Sequence, residues 1–135
     1  MKRGSAFRLL LDTHTWYWYV SGSRDLPRLL REVVDEAKGA CWLSPVTLWE
    51  IGILVDKGRL TLSPGYREWV RDALDAFPVR EAPLNFEVAR RVRELDPHED
   101  PADRFLAATA LVYELTLVTV DRRFTEASWL PTLTS

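Results

Sequence analysis

The sequence predicts an α/β fold built on a parallel β-sheet. Two short apolar runs, residues 7–11 (FRLLL) and residues 115–120 (LTLVTV), read as buried strands, and each is closed by an aspartate, Asp12 and Asp121. Between them, segments with helical spacing alternate with further short apolar runs. That alternation is the pattern of strands joined by helical crossovers, with helices covering both faces of the sheet. At 135 residues with 47% hydrophobic content, the chain has the length and the apolar material for one core, so a single domain over residues 1–135 is expected.

The elements follow in order. Residues 26–37 have helical spacing, open at Pro27 and stop near Gly39. Residues 40–43 form a second short strand. Ser44-Pro45 then starts a helix to about Asp56, with serine as N-cap and proline in the first turn. After a connector at 58–62, residues 64–77 read as a helix with Tyr66, Trp69, Val70, Leu74 and Phe77 on its apolar side. A short strand is expected at 79–82 and a helix at 85–95, with Val88, Val92 and Leu95 inward. Asp100-Pro101 opens the next helix, which runs to Glu114 and leads into the strand at 115–120.

Composition narrows the function classes. One cysteine, Cys41, excludes an internal disulfide and any multi-cysteine metal site, and fits a reducing compartment. The apolar run after the basic residues 1–6 is too short for a signal-peptide core or a membrane span, so a soluble, cytoplasmic protein with no membrane association is expected. A net charge of −2 advertises no general affinity for nucleic acid. The cations are lopsided, however: three are lysines and fifteen are arginines, whose planar fork suits phosphate. Net acidity is compatible with a phosphate substrate if the acids gather around a cation.

In parallel sheets, ligands bind beyond the carboxyl ends of the strands. Asp12 and Asp121 both follow an apolar strand directly, which puts them on that rim, although an aspartate there also begins turns. In Asp100-Pro101-Ala102-Asp103 the first acid is a natural N-cap. Asp103 lies in the first turn, where the helix dipole favours an acid but where its side chain also faces the rim. Glu50 is the hardest to explain as surface. Its helix carries Val46, Ile53 and Leu54 on the same face, Trp49 beside it, and Leu48, Ile51 and Val55 opposite, so the helix is expected to be largely buried. A buried carboxylate costs several kcal/mol unless it is paired or binds metal; an arginine salt bridge is the alternative partner. Together, converging acids suit Mg²⁺ or Mn²⁺ rather than zinc, and such a centre beside a phosphodiester supports its hydrolysis.

The segments that carry these acids are Leu10-Leu11-Asp12-Thr13-His14, Ser44-Pro45-Val46-Thr47-Leu48-Trp49-Glu50-Ile51, the run DPADRFLAATA at 100–110, and the run LVTVDRRF at 117–124. In order and spacing they resemble the PIN-domain superfamily, specifically the VapC-type toxins of toxin–antitoxin pairs. The resemblance implies a three-layer α/β/α sandwich with a central parallel β-sheet, a homodimer, and Mg²⁺- or Mn²⁺-dependent endoribonuclease activity on RNA. By motif position it implies that Asp12, Glu50, Asp103 and Asp121 are the catalytic and metal-holding acids, and that Thr119 is a hydroxyl that orients them. It also implies a small antitoxin protein whose tail occupies the active site.

Thr13 and His14 are auxiliary candidates by proximity, with packing at a helix start as the alternative role for His14; Asp100 is one by the resemblance, matching an acid common in that branch, with N-capping as its alternative role. His98 has the same packing alternative. Arg104, Arg122 and Arg123 adjoin predicted site acids and are the candidate phosphate contacts. Trp16, Tyr17, Trp18 and Tyr19 cannot all face one way on a helix, which favours core and partner contact over base stacking. Rival readings are a non-catalytic PIN-like binding module and a DNA-directed nuclease. A haloacid-dehalogenase-like phosphatase would want an aspartate where His14 stands, and a receiver domain would want a late lysine, whereas none follows Lys57.

Overall fold

The computed structural model describes residues 8–37, 39–96 and 100–135. Five parallel strands form one sheet in the order β3-β2-β1-β4-β5, where β1 is Leu9–Leu11, β2 Trp42–Leu43, β3 Arg80–Glu81, β4 Thr116–Val118 and β5 Thr132–Leu133. Among the described residues, seven helices join and cover them: α1 Thr13–Ser21, α2 Arg28–Ala37, α3 Pro45–Asp56, α4 Tyr66–Ala76, α5 Phe86–Val92, α6 Pro101–Val112 and α7 Arg122–Thr125. This is the expected α/β sandwich on a parallel sheet.

The strand β1 shows why the sheet needs helices on both sides. Its three leucines are all buried, and alternation sends them to opposite faces. Leu9 and Leu11 join Trp16, Leu30, Val34, Ile51 and Val118 in one core. Leu10 joins Leu106, Ala107, Ala110, Leu117 and Phe124 in the other. A smaller cluster of Val88, Val92 and Ala108 packs α5 onto α6. Alanines on α6 let that helix approach both neighbours closely, which fixes its first turn over the sheet rim.

Register does the rest. Leu11 is level with Val118, so β1 and β4 end side by side, and the Asp12 N–H donates to the Val118 carbonyl at 3.2 Å. Asp12 then caps α1 directly after β1, and Asp121 caps α7 after Thr119 and Val120, which follow the end of β4. The positive end of each helix faces the rim there. Helix α1 ends at Gly22, whose φ of 67° is the left-handed conformation that glycine tolerates best.

Several expectations need correction. The strands are shorter than the apolar runs that announce them, because β2 and β3 pair over only two residues each. The strand β5 carries no sequence signal and completes the edge next to β4. Helix α3 is less buried than its apolar composition suggests: Val46, Thr47 and Ile51 face the interior, while Trp49 is 57% exposed. Of the aromatic run, Trp16 is fully buried and Tyr17, Trp18 and Tyr19 pack half-buried against the same core. Phe7, His98 and the basic residues 1–6 lie outside the described residues. No helix among those described is long and apolar enough to cross a membrane.

Candidate active site

Asp12 is held from two sides. Its Oδ1 accepts from the Thr15 backbone N–H at 2.8 Å, and its Oδ2 accepts a short hydrogen bond from the Thr119 hydroxyl. Thr119 in turn accepts from the Asp121 backbone N–H at 3.0 Å. A fully buried threonine therefore spans the gap between the two strand-end aspartates. Each Asp12 oxygen keeps a free lone-pair direction, so the carboxylate is oriented without being saturated.

Glu50 is half-buried and reaches the rim from the second turn of α3. The Thr13 hydroxyl donates to its Oε1 at 2.5 Å and lies 3.2 Å from the Thr47 hydroxyl. Thr13 has one proton to give, and it goes to the carboxylate, which leaves Thr47 as donor to Thr13. The arginine salt bridge considered as an alternative for Glu50 is not among the ion pairs of the described residues; its partner there is a threonine pair.

Asp103 is buried on the first turn of α6. Burial pushes its carboxyl up to about 7, Arg123 opposes that shift, and the nearby acids Asp100, Glu50 and Asp121 add to it. The Arg123 Nη2 lies 3.1 Å from its Oδ2, an ion-pair distance, but the alignment is poor and this buried oxygen has no hydrogen-bond partner among the described residues. Asp121 is the opposite case: the hydrogen bond from Arg123, at 2.7 Å, holds its carboxyl below the usual range. One arginine thus bridges an acid that resists ionisation and an acid that favours it.

Asp12, Thr13, His14, Glu50, Asp103, Asp121 and Arg123 line one cleft of about 70 Å³, floored by Leu106 and Phe124. Carboxylate oxygens of Glu50, Asp100 and Asp103 come within 4.8 Å of one another. Hard oxygen donors at this spacing, one of them buried and unsatisfied, fit a hydrated divalent cation of the Mg²⁺ or Mn²⁺ type. Asp100 also caps α6 through a 2.8 Å bond from the Ala102 N–H, so its cap and its place in the oxygen cluster coexist.

The model of the PIN domain matches residues 9–130, a span that contains every one of these acids. The chain belongs to the PIN-domain family. It is 28% identical over 117 residues to ribonuclease VapC22 of Mycobacterium tuberculosis, covering 85% of this chain and 88% of that protein. Among solved structures it resembles the DNA-bound VapBC of Salmonella typhimurium, with a TM-score of 0.67 at 20% identity over 94% of this chain and 97% of that one. It also resembles VapBC2 of Rickettsia felis bound to a promoter DNA fragment, with a TM-score of 0.65 at 16% identity over 94% and 98% of the two chains. These structural likenesses establish the fold.

Within this PIN domain the sequence-predicted residues separate into groups. The acids Asp12, Glu50, Asp103 and Asp121 share the cleft, with Thr13 and His14. Thr119 lies directly behind Asp12. Exposed His14 packs its ring 5.6 Å from Trp18, and its electrostatic effect reaches Asp121. Of the three arginines, Arg123 lines the cleft. Arg122 turns outward to Glu126 at 2.8 Å. Arg104 lines a neighbouring cleft with Asp103. Thr47 was not singled out by the sequence reading. Its one available signal is its position three residues before Glu50, on the same face of α3.

Proposed function

We propose that this PIN domain is a divalent-metal-dependent endoribonuclease and the toxin of a type II toxin–antitoxin pair. The observation that carries this reading is the convergence of four acids, from three separate stretches of the chain and a fourth at the end of β4, on one cleft at the carboxyl rim of the sheet. The ribonuclease relative supports the activity, and the VapBC neighbours support a small antitoxin as partner. A homodimer follows from the family resemblance.

Glu50, Asp103, Asp12 and Asp121 would hold the cation, with Asp100 as an auxiliary donor. A bound Mg²⁺ or Mn²⁺ supplies an acidified water and charge neutralisation at the phosphate. The chain's own groups do the positioning. The Thr15 N–H and the Thr119 hydroxyl fix the Asp12 carboxylate, and the Thr47–Thr13 pair fixes Glu50. Such preset geometry avoids reorganisation when the substrate arrives. The Arg123 guanidinium lies at the edge of the cleft between Asp103 and Asp121, where it can also meet a phosphate oxygen.

The test is cleavage of a mixed pool of structured and single-stranded RNA by the purified chain. It is run with Mg²⁺ or Mn²⁺, with EDTA, and with Asp12→Asn, and single-stranded DNA of matched sequence forms a parallel arm. Metal-dependent loss of RNA that stops in the variant supports the reading. Equal cleavage of the DNA would redirect it to a general nuclease. A folded chain that cleaves neither the pool nor RNA from a cell expressing it would leave a binding module.

A further inference from the structure

A second cleft, of about 130 Å³, adjoins the acids. Asp103, Arg123 and Phe124 belong to the walls of both, so the two are joined without an intervening element. Beyond Asp103 its wall is mostly apolar: Leu95, Ala107 and Ala127 line it together with Asp96, and Trp129 lines it with 52% of its surface exposed. Among the described residues, Trp129 is the one exposed large aromatic that lines this cleft. The Nε of Arg104, also in its wall, is buried and has no hydrogen-bond partner among the described residues. A buried N–H donor without an acceptor is costly, and an acceptor on a bound molecule is one way to satisfy it.

We infer that this cleft is a nucleobase subsite, in which Trp129 stacks on the base flanking the scissile phosphate and Arg104 donates to its edge. The inference rests on the nuclease reading and specifies the substrate of the same site. Three features favour a base over a peptide side chain. The cleft opens directly onto the acids, so a base linked through one ribose to a phosphate there reaches it. Arg123, on the shared wall, is positioned for that phosphate. An indole face, mostly apolar walls, one buried guanidinium donor and the Asp96 carboxylate suit a flat ring with both acceptor and donor atoms at its edge, the combination used to hold single-stranded RNA bases. Arg104 accordingly acts on the base, in place of the phosphate contact expected from its position in the sequence.

Two measurements test it. In the first, wild-type, Trp129→Phe and Trp129→Ala chains cleave a randomised single-stranded RNA pool in Mn²⁺, and the cut ends are sequenced. Trp129→Ala is expected to lower kcat/KM about tenfold or more, chiefly through KM, and to flatten the base preference at one position beside the cut. Trp129→Phe keeps a stacking face and should retain most of both. In the second, a single-stranded RNA carrying 4-thiouridine is photocrosslinked to the wild-type chain in Ca²⁺ and the adduct is mapped by mass spectrometry; Trp129 or its cleft neighbours are expected. Wild-type cleavage with an unchanged Trp129→Ala profile, or crosslinks confined to other surfaces, overturns the subsite and leaves the nuclease reading intact. Crosslinking at Trp129 without cleavage supports the subsite and overturns the catalytic reading instead.

Discussion

The Thr119 hydroxyl accepts from the Asp121 N–H and donates to Asp12, and both partners belong to the rim. Thr119→Val keeps the shape and removes both bonds. A buried carboxylate oxygen losing its donor costs about 1–3 kcal/mol, so a lower melting temperature is expected together with slower cleavage. Thr119→Ser should restore most of each, which a simple packing defect would not allow. Asp12→Asn behaves differently. The amide oxygen can still accept from the Thr15 N–H, so the cap of α1 and the fold should survive while metal-dependent cleavage is lost. Melting curves and RNA cleavage on the same preparations separate the two cases; an unfolded Asp12→Asn chain would make Asp12 a structural cap. Glu50 stood out in the sequence because a carboxylate on an apolar helix conflicts with its surroundings, whereas Asp12, Asp103 and Asp121 each had an ordinary turn or helix-start role and were singled out together by their order and spacing. Thr47 was not, since a threonine buried in a helix conflicts with nothing and shows its role only through its 3.2 Å contact to Thr13.

Helix α6 and its cap position two of the acids, Asp100 and Asp103. Proline in its first turn and the Asp100 cap fix where it begins, and alanines along its buried side let it lie close to the sheet and α5. Both acids at its start therefore have set positions. Asp100→Ser keeps a capping oxygen for the Ala102 N–H but removes the carboxylate, so stability should change by only a few tenths of a kcal/mol while affinity for Mn²⁺ falls. Asp100→Ala should lose the cap as well, at roughly 1 kcal/mol. Calorimetric titration with Mn²⁺ beside thermal melts distinguishes them, and unchanged Mn²⁺ affinity in Asp100→Ser would confine Asp100 to capping. The capped helices α3, α5 and α6 were readable from the sequence to within a few residues, whereas α1 and α7, capped by the rim aspartates Asp12 and Asp121, were given no bounds there. Strand β3, at Arg80–Glu81, falls inside the strand expected at 79–82, whereas β5 spans two residues, too few for alternation to register, and is specified by pairing with β4 rather than by its own residues. The same limit explains α3: composition reported how apolar the helix is, whereas only the packing shows that Trp49 faces out.

At the scale of the whole molecule, the acidic rim sets a conflict between folding and charge. Asp103 is raised from its ordinary 3.8 to about 7, first by burial, so the folded chain binds a proton more tightly than the unfolded chain does. Stability from this group is greatest below the unfolded value and declines as pH rises from about 4 to about 7, where folding must accommodate the ionised form. Asp121, held low by Arg123, acts in the opposite sense and below that window: its contribution is lost only as pH falls through its depressed value. In EDTA the melting temperature should therefore fall between pH 5 and pH 8. Asp103→Asn should flatten that slope and be the more stable protein at pH 8, since it removes one of the mutually repelling charges. A divalent cation that binds only the folded chain stabilises it by about 2.7 kcal/mol at one hundred times its dissociation constant. Mn²⁺ at pH 8 should accordingly raise the wild-type melting temperature by several degrees, and Asp103→Asn should show a much smaller rise. A wild-type chain whose melting temperature is indifferent to both pH and Mn²⁺ would mean that these carboxylates are already compensated within the protein, and the metal-dependent mechanism would lose its physical basis.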